Sequence, residues 1–167
     1  MELSLAAVVL LRPSFCAEIV RMPEPYCLAM VLCDGVHRDA TTGKFTILGT
    51  FSTFGAEEFP AQVRFCVYYA VTDGLGPTTL RLRIVDASCG IANGRGDDEG
   101  VVFSASSDFD FESPLLILEA TVGIGAALPQ AGLYHCELWA GNELLMSRRL
   151  LALQGQSQPD DEGENDE

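Results

Sequence analysis

The amino-acid sequence predicts an all-β chain built as a single antiparallel β-sandwich of about eight strands. Three observations carry that expectation. Between Pro25 and Leu153 the apolar residues recur with a period of two, not 3.6. Turn-forming clusters interrupt this pattern about every 8–12 residues. No window of about 12 residues presents the apolar stripe of an amphipathic helix. At 167 residues the chain has the length of one domain and buries a core without disulfide or metal staples.

Each element follows from its own pattern. Tyr26 to Cys33 is continuously apolar, as a strand covered on both faces requires. From Phe45 to Phe54, Phe45, Ile47, Gly49 and Phe51 share one face, with Thr46, Leu48, Thr50 and Ser52 on the other. Val63, Phe65, Val67, Tyr69 and Val71 alternate with Arg64, Cys66, Tyr68 and Ala70. Leu80, Leu82 and Ile84 alternate with Arg81, Arg83 and Val85. Val101–Ala105, Leu115–Ile124, Leu133–Trp139 and Leu144–Leu153 complete the set. The breaks fall at Thr42-Gly43, Asp73 to Pro77, Gly90 to Gly100, Ser113-Pro114, Pro129 to Gly132 and Gly141-Asn142. If Val63–Val71 and Leu80–Asp86 form a hairpin, Tyr68 lies opposite Arg83 and Ala70 opposite Arg81. Arg64, Tyr68, Arg81 and Arg83 then share one outer face, either a solvated mixed-charge surface or a recognition patch for an acidic partner. His135 and Trp139 fall on one face of the seventh strand, and a Trp there is a core plug or one wall of a ligand platform.

Charge and composition exclude whole classes. With 24 acidic residues against 10 basic, the formal charge is −14, which argues against nucleic acid or an anionic membrane as partner. A hydrophobic share of 48% excludes wholesale disorder. No apolar run reaches the roughly 20 residues of a spanning helix. Gln154 to Glu167 holds six acids, no base and no apolar residue, and reads as a disordered acidic tail over 154–167. The folded domain is expected over 25–153, after an N-terminal extension over 1–24. That extension has Glu2 and no base ahead of its apolar run, unlike a secretory leader. Met22 is the expected functional start, and a short N-terminal helix packed on the domain is the other reading. The six cysteines, at 16, 27, 33, 66, 89 and 136, include no CxxC pair. Without a secretory signal they are expected to be free in a reducing cytoplasm, where buried Cys acts as a small hydrophobe.

The segment richest in chemistry runs from Cys33 to Lys44. Asp34, His37 and Asp39 lie within six residues at a strand end, an arrangement open to acid–base work or metal ligation. A Ca- or Zn-dependent module or hydrolase centred on that loop is therefore the alternative reading of the chain. Cys33 and His37 offer half of a metal site with no second pair. Thr42-Gly43-Lys44 has the ending of a phosphate loop, but Arg38 stands where the first glycine belongs. The structural account gives Gly43 a positive φ and lets Asp34 and Asp39 accept backbone N–H bonds, with Lys44 offsetting their charge. Asp97-Asp98-Glu99 and Asp108-x-Asp110-x-Glu112 raise calcium. The second series, however, alternates with Phe109 and Phe111, as the outward face of an edge strand would. Arg95-Gly96-Asp97 is an adhesion tripeptide that reads here as a turn.

A family resemblance resides in the same segment. Asp34-Gly35-Val36-x-Arg38-Asp39-x-x-Thr42-Gly43-Lys44-x-x-Ile47-Leu48-Gly49-x-Phe51, followed by Phe59-Pro60, resembles bacterial domain-of-unknown-function family 6941. Gly132-Leu133-Tyr134 with Glu143-Leu144-Leu145 is similar to that family's closing hairpin. The resemblance spans roughly Pro25 to Leu153 and implies the sandwich fold. Members begin near the first strand, which supports Met22 as the start, and the family brings no catalytic residue with it.

With no nucleophile elbow, metal set or phosphate loop, the sequence points to a non-catalytic protein-binding or assembly module that needs no cofactor. The residues expected to make contact are Asp34, His37, Arg38, Asp39, Lys44, Tyr68, Arg81 and Arg83. The expected partner is another protein, and self-association stays open.

Overall fold

Alternation along each strand leaves one apolar face to cover, and two stacked sheets cover it. A computed structural model describes residues 24–89 and 100–155. In chain order the strands are β1 (Tyr26–Arg38), β2 (Phe45–Thr50), β3 (Thr53–Ala56), β4 (Ala61–Thr72), β5 (Gly76–Asp86), β6 (Val101–Phe111), β7 (Leu118–Leu128), β8 (Gly132–Ala140) and β9 (Glu143–Gln154). A single 3₁₀ turn, Ala87–Cys89, follows β5. The four-stranded sheet has the order β2-β1-β4-β7 and the five-stranded sheet β3-β9-β8-β5-β6.

Between the sheets lies one hydrophobic core. Met30 and Leu32 of β1, the alternating Val63 to Val71 of β4, and Ile124 to Leu128 of β7 meet Leu80, Leu82 and Ile84 of β5, Tyr134 to Leu138 of β8, and Leu150 and Ala152 of β9. Phe65 and Leu82, one from each sheet, are both buried. Each side chain so buried contributes on the order of 1.5–3 kcal/mol of transfer free energy.

The structure corrects the expected strand plan at three places. Phe45–Phe54 is two strands and not one, so the described chain holds nine. The chain changes sheets there: Phe51 N–H donates to Leu32 O at 3.2 Å, while Leu151 N–H donates to Ser52 O at 2.9 Å in the opposite sheet. The emerging β3 pairs with β9 in parallel, so the sandwich is not wholly antiparallel. The expected β4–β5 hairpin also does not form. β4 pairs with β1 and β7, and β5 pairs with β6 and β8. Asp73, at φ 59°, turns the chain out of one sheet, and its N–H bonds Pro114 O at 3.1 Å in the connection between β6 and β7. Tyr68 and Arg83 therefore sit on opposite outer faces of the sandwich. Asp108 and Asp110 do lie on an edge strand, β6: Asp108 and Asp110 are exposed there, while Phe111 is buried. The N-terminal extension with its suggested helix, Asp97-Asp98-Glu99, Arg95-Gly96-Asp97 and the acidic stretch beyond Gly155 lie outside the described residues.

Candidate functional site

The chemistry-rich segment becomes the β1–β2 hairpin. Its ladder pairs Cys33 with Thr50 and then Gly35 with Leu48, omitting Asp34 and Gly49. Gly49 has φ 61°, and a Cβ there would stand 2.0 Å from Asp34 Oδ2. Only glycine tolerates both the backbone conformation and the carboxylate lying across it. The two ends of the motif thus meet in space at this irregularity.

Four backbone and side-chain bonds close the tip. Asp39 N–H donates to Lys44 O at 2.9 Å, and Gly43 N–H to Asp39 O at 2.8 Å. Asp39 Oδ1 accepts from Thr41 N–H and Thr42 N–H, both at 2.7 Å. These two N–H groups, Thr42 first, hold the Asp39 carboxyl below its ordinary range. Gly43 adopts φ 72°, as the turn reading of Thr42-Gly43-Lys44 requires. Arg38 Nε–H donates to Gly43 O at 3.3 Å, which lays its guanidinium along the hairpin.

A stack anchors the hairpin to the outer face of the four-stranded sheet. Arg38 Cζ lies 5.4 Å from the centre of the Phe45 ring, and that ring lies 5.5 Å from Tyr68 at 58°. The Tyr68 hydroxyl donates to Glu119 of the neighbouring strand. Burial, then this bond and the carboxylate's charge, push the Tyr68 phenol up to about 12. Arg38, Asp39, Lys44 and Tyr68 are thereby joined in one structural unit, although residue spacing alone linked only the first three. His37, opposite Thr46 in the ladder, is exposed beside them. Asp34 sits at the hairpin's base, where it lines a groove of about 330 Å³ with Phe51, Phe54 and Arg64. Among the described residues no three His, Cys, Asp or Glu side chains come together, and Asp39 spends its inner oxygen on backbone N–H groups.

The other two expected contact residues lie elsewhere. Arg81 and Arg83 occupy the outer face of the five-stranded sheet, opposite Trp139 and Glu137 of β8. Both guanidinium carbons approach the Trp139 ring, at 6.0 and 5.1 Å. Glu137 Oε2 accepts from Arg83 Nη2 at 3.1 Å and from the Trp139 indole N–H at 2.9 Å. Arg83 is 3% exposed and Trp139 5% exposed. The tryptophan is buried, yet on the outer face and outside the interior core. Arg83 is a packing residue, and the single four-residue patch with Arg64 and Tyr68 does not exist. His135, on the same strand face, reaches Ser147 Oγ at 3.2 Å.

Sequence reasoning missed a polar knot at the other end of the sandwich. Gln130 Nε2 donates to Asp86 Oδ2 and Ser88 Oγ, each at 3.1 Å, while Tyr134 Oη–H donates to Gln130 O at 2.8 Å. Burial acts to raise the Asp86 pKa, but the bonds from Ser88 and Gln130 outweigh it and leave it lowered. The signal was a lone Asp closing an apolar strand. Cys27, Cys33 and Cys136 are free and buried, and burial pushes the Cys136 thiol up to about 12. These thiols are inert packing groups.

No helix among the described residues is long and apolar enough to cross a membrane. No curated protein matches the chain. Among solved structures, an immunoglobulin-like protein from Pseudomonas aeruginosa is similar at 12% identity, over 79% of this chain and 98% of that one, with a TM-score of 0.38. A model described as "Family of unknown function (DUF6941)" matches residues 28–152, from within β1 to within β9 and including the Asp34–Gly49 hairpin, and the chain belongs to that family.

Proposed function

We propose that this protein is a non-catalytic binding module that docks another protein on the tip of its β1–β2 hairpin. One observation carries the reading: the tip is exposed and already ordered. Asp39 fixes its turn through two backbone N–H bonds, and the Arg38–Phe45–Tyr68–Glu119 stack fixes its position on the sheet. An element ordered before it meets its partner avoids the entropy of ordering at binding, typically about 0.5–1.5 kcal/mol per immobilised side chain. His37, Lys44 and the outer edge of Arg38 supply polar contacts there, since loops on a rigid sandwich are where such scaffolds carry recognition. Free buried thiols suit a reducing cytoplasm, where we place the protein.

A photo-crosslinking residue at Thr41, compared with one at Glu143 in the opposite sheet, tests this in lysate of the native host. The expected result is a discrete adduct from position 41 alone, lost when Arg38→Ala and Lys44→Glu are introduced together. An adduct equally strong from position 143, or one indifferent to those substitutions, rules the hairpin out.

A further inference from the structure

The four strands at the sheet edges are not equally protected. β3 has only four residues, and the six of β2 are interrupted at Gly49, which drops out of the ladder with β1 at φ 61°. β6 is long but carries Asp108 and Asp110 and a bulge opposite Ile84/Val85. β7 is different: eleven residues, all eleven paired with β4 in unbroken register, and no strand on its other side among the described residues. It contains no proline and one charge, Glu119, which is already held by the Tyr68 hydroxyl. Immediately before it, Leu115, Leu116 and Ile117 are 89%, 49% and 57% exposed, three consecutive apolar residues in water. Gly123 and Gly125 on its outer face have ordinary φ, and a Cβ at either would meet no atom within 4 Å, so nothing within the chain requires glycine there. Both line an open groove on that face with Asp34, Arg64 and Phe65, so side chains added there project off the sheet and leave the edge free to pair.

We propose that β7 is a homodimer edge, pairing antiparallel with β7 of a second copy about a two-fold axis at Gly123. The strand is self-complementary in that register. Glu119 faces Ala127, Thr121 faces Gly125 and Val122 faces Ile124, so no like charges oppose and the inner residues extend both cores. Leu115 to Ile117 of each copy then lie alongside residues 129–131 of the other. The two four-stranded sheets join into one of eight strands. β7 is the edge opposite β2 in this sheet, although its Glu119 also anchors Tyr68 beneath the hairpin.

Sedimentation equilibrium of the full chain across the micromolar range tests it. Wild type is expected to dimerise reversibly, and more tightly at about 500 mM than at about 50 mM salt, because screening removes the mutual repulsion of two acidic chains. Thr121→Lys with Gly125→Lys sets lysine against lysine twice per dimer and should weaken association by roughly tenfold or more. Thr121→Lys with Gly125→Glu sets opposite charges in the same pairs and should keep the dimer. Both positions are exposed, and an unchanged far-ultraviolet β spectrum confirms each fold. A monomeric wild type, or a Lys/Lys variant that dimerises as well as wild type, overturns the proposal. Loss of the dimer in both variants overturns the register.

Discussion

Arg38, Phe45, Tyr68 and Glu119 on one outer face (one cation, two rings, one carboxylate) parallel Arg81, Arg83, Trp139 and Glu137 on the other (two cations, one ring, one carboxylate). Each set places a guanidinium against an aromatic ring and a carboxylate against that aromatic system's polar hydrogen. They differ in whether the charges meet. Arg83 and Glu137 are direct ladder partners, and theirs is the one ion pair among the described residues. Arg83 and Glu137 are paired within β5 and β8, with only Arg81 Nε and Arg83 Nε of the two guanidiniums buried without a partner. Arg38 instead comes from the hairpin tip and ends on the tip's own carbonyl, while Glu119 takes only the Tyr68 hydroxyl. A closed set stiffens a sheet. An open one leaves polar capacity facing outward, and this is why recognition is assigned to the hairpin and not to the tryptophan.

The largest test of that contrast is removal of each carboxylate. Glu137→Ala strands the buried Arg83 guanidinium, whose Nε already lacks a partner, and is expected to cost about 3 kcal/mol. Glu119→Ala removes a hydrogen bond and no ion pair, so about 1 kcal/mol is expected. Replacing Arg83 and Glu137 together by Met and Leu should recover most of the first loss, because no unpaired charge is left. Urea unfolding followed by circular dichroism measures all three. Equal costs for the two single variants would remove the distinction between the faces.

Glycines offer the next contrast, between hairpin and edge. Gly49→Ala forces a side chain to φ 61° and into Asp34 Oδ2, so a loss of about 1–2 kcal/mol is expected. Asp34→Ala should recover the steric part and leave the backbone part, a coupling a double-mutant cycle reads directly. Gly125→Ala, with ordinary φ and open space, should leave monomer stability unchanged or slightly higher. If Gly49→Ala is as harmless as Gly125→Ala, Asp34 does not lie across the bulge.

How much of this was legible in the sequence follows the range of the interaction. The period of two placed Val63 to Val71 and Leu80 to Ile84 facing inward, because alternation is local to a strand. Asp39 and Gly43 were readable as turn residues for the same reason, since their bonds span five residues or fewer. Which strands neighbour one another is not local. The sheet change at Phe51 and Ser52 depends on Leu32 and Leu151, and the failure of the β4–β5 hairpin depends on Pro114. The arginines were expected beside Tyr68 and found beside Trp139, because pairing was argued from sequence adjacency. Phe45 and Tyr68, 23 positions apart and on strands that do not pair, left no mark that one sequence could reveal.

The smallest expected effect separates the two faces by pH. Tyr68 ordinarily ionises near 10.0 and is pushed up to about 12 in the fold, where burial and Glu119 favour the neutral phenol. Its contribution is fully present below about pH 10 and is lost as pH rises from about 10 to about 12, where the unfolded chain has released the proton and the folded one has not. Tyr69, Tyr134 and Cys136 are raised as well and add to the same alkaline loss. The informative quantity is therefore the difference between wild type and Tyr68→Phe. That difference should be about 1 kcal/mol at neutral pH and shrink steadily through this window. Trp139→Phe should give a curve displaced from wild type by a constant amount, because an indole does not ionise there. A Tyr68→Phe curve that also runs parallel to wild type up to pH 12 would mean that the phenol's proton is not held by Glu119, and the stack beneath the hairpin would lose its anchor.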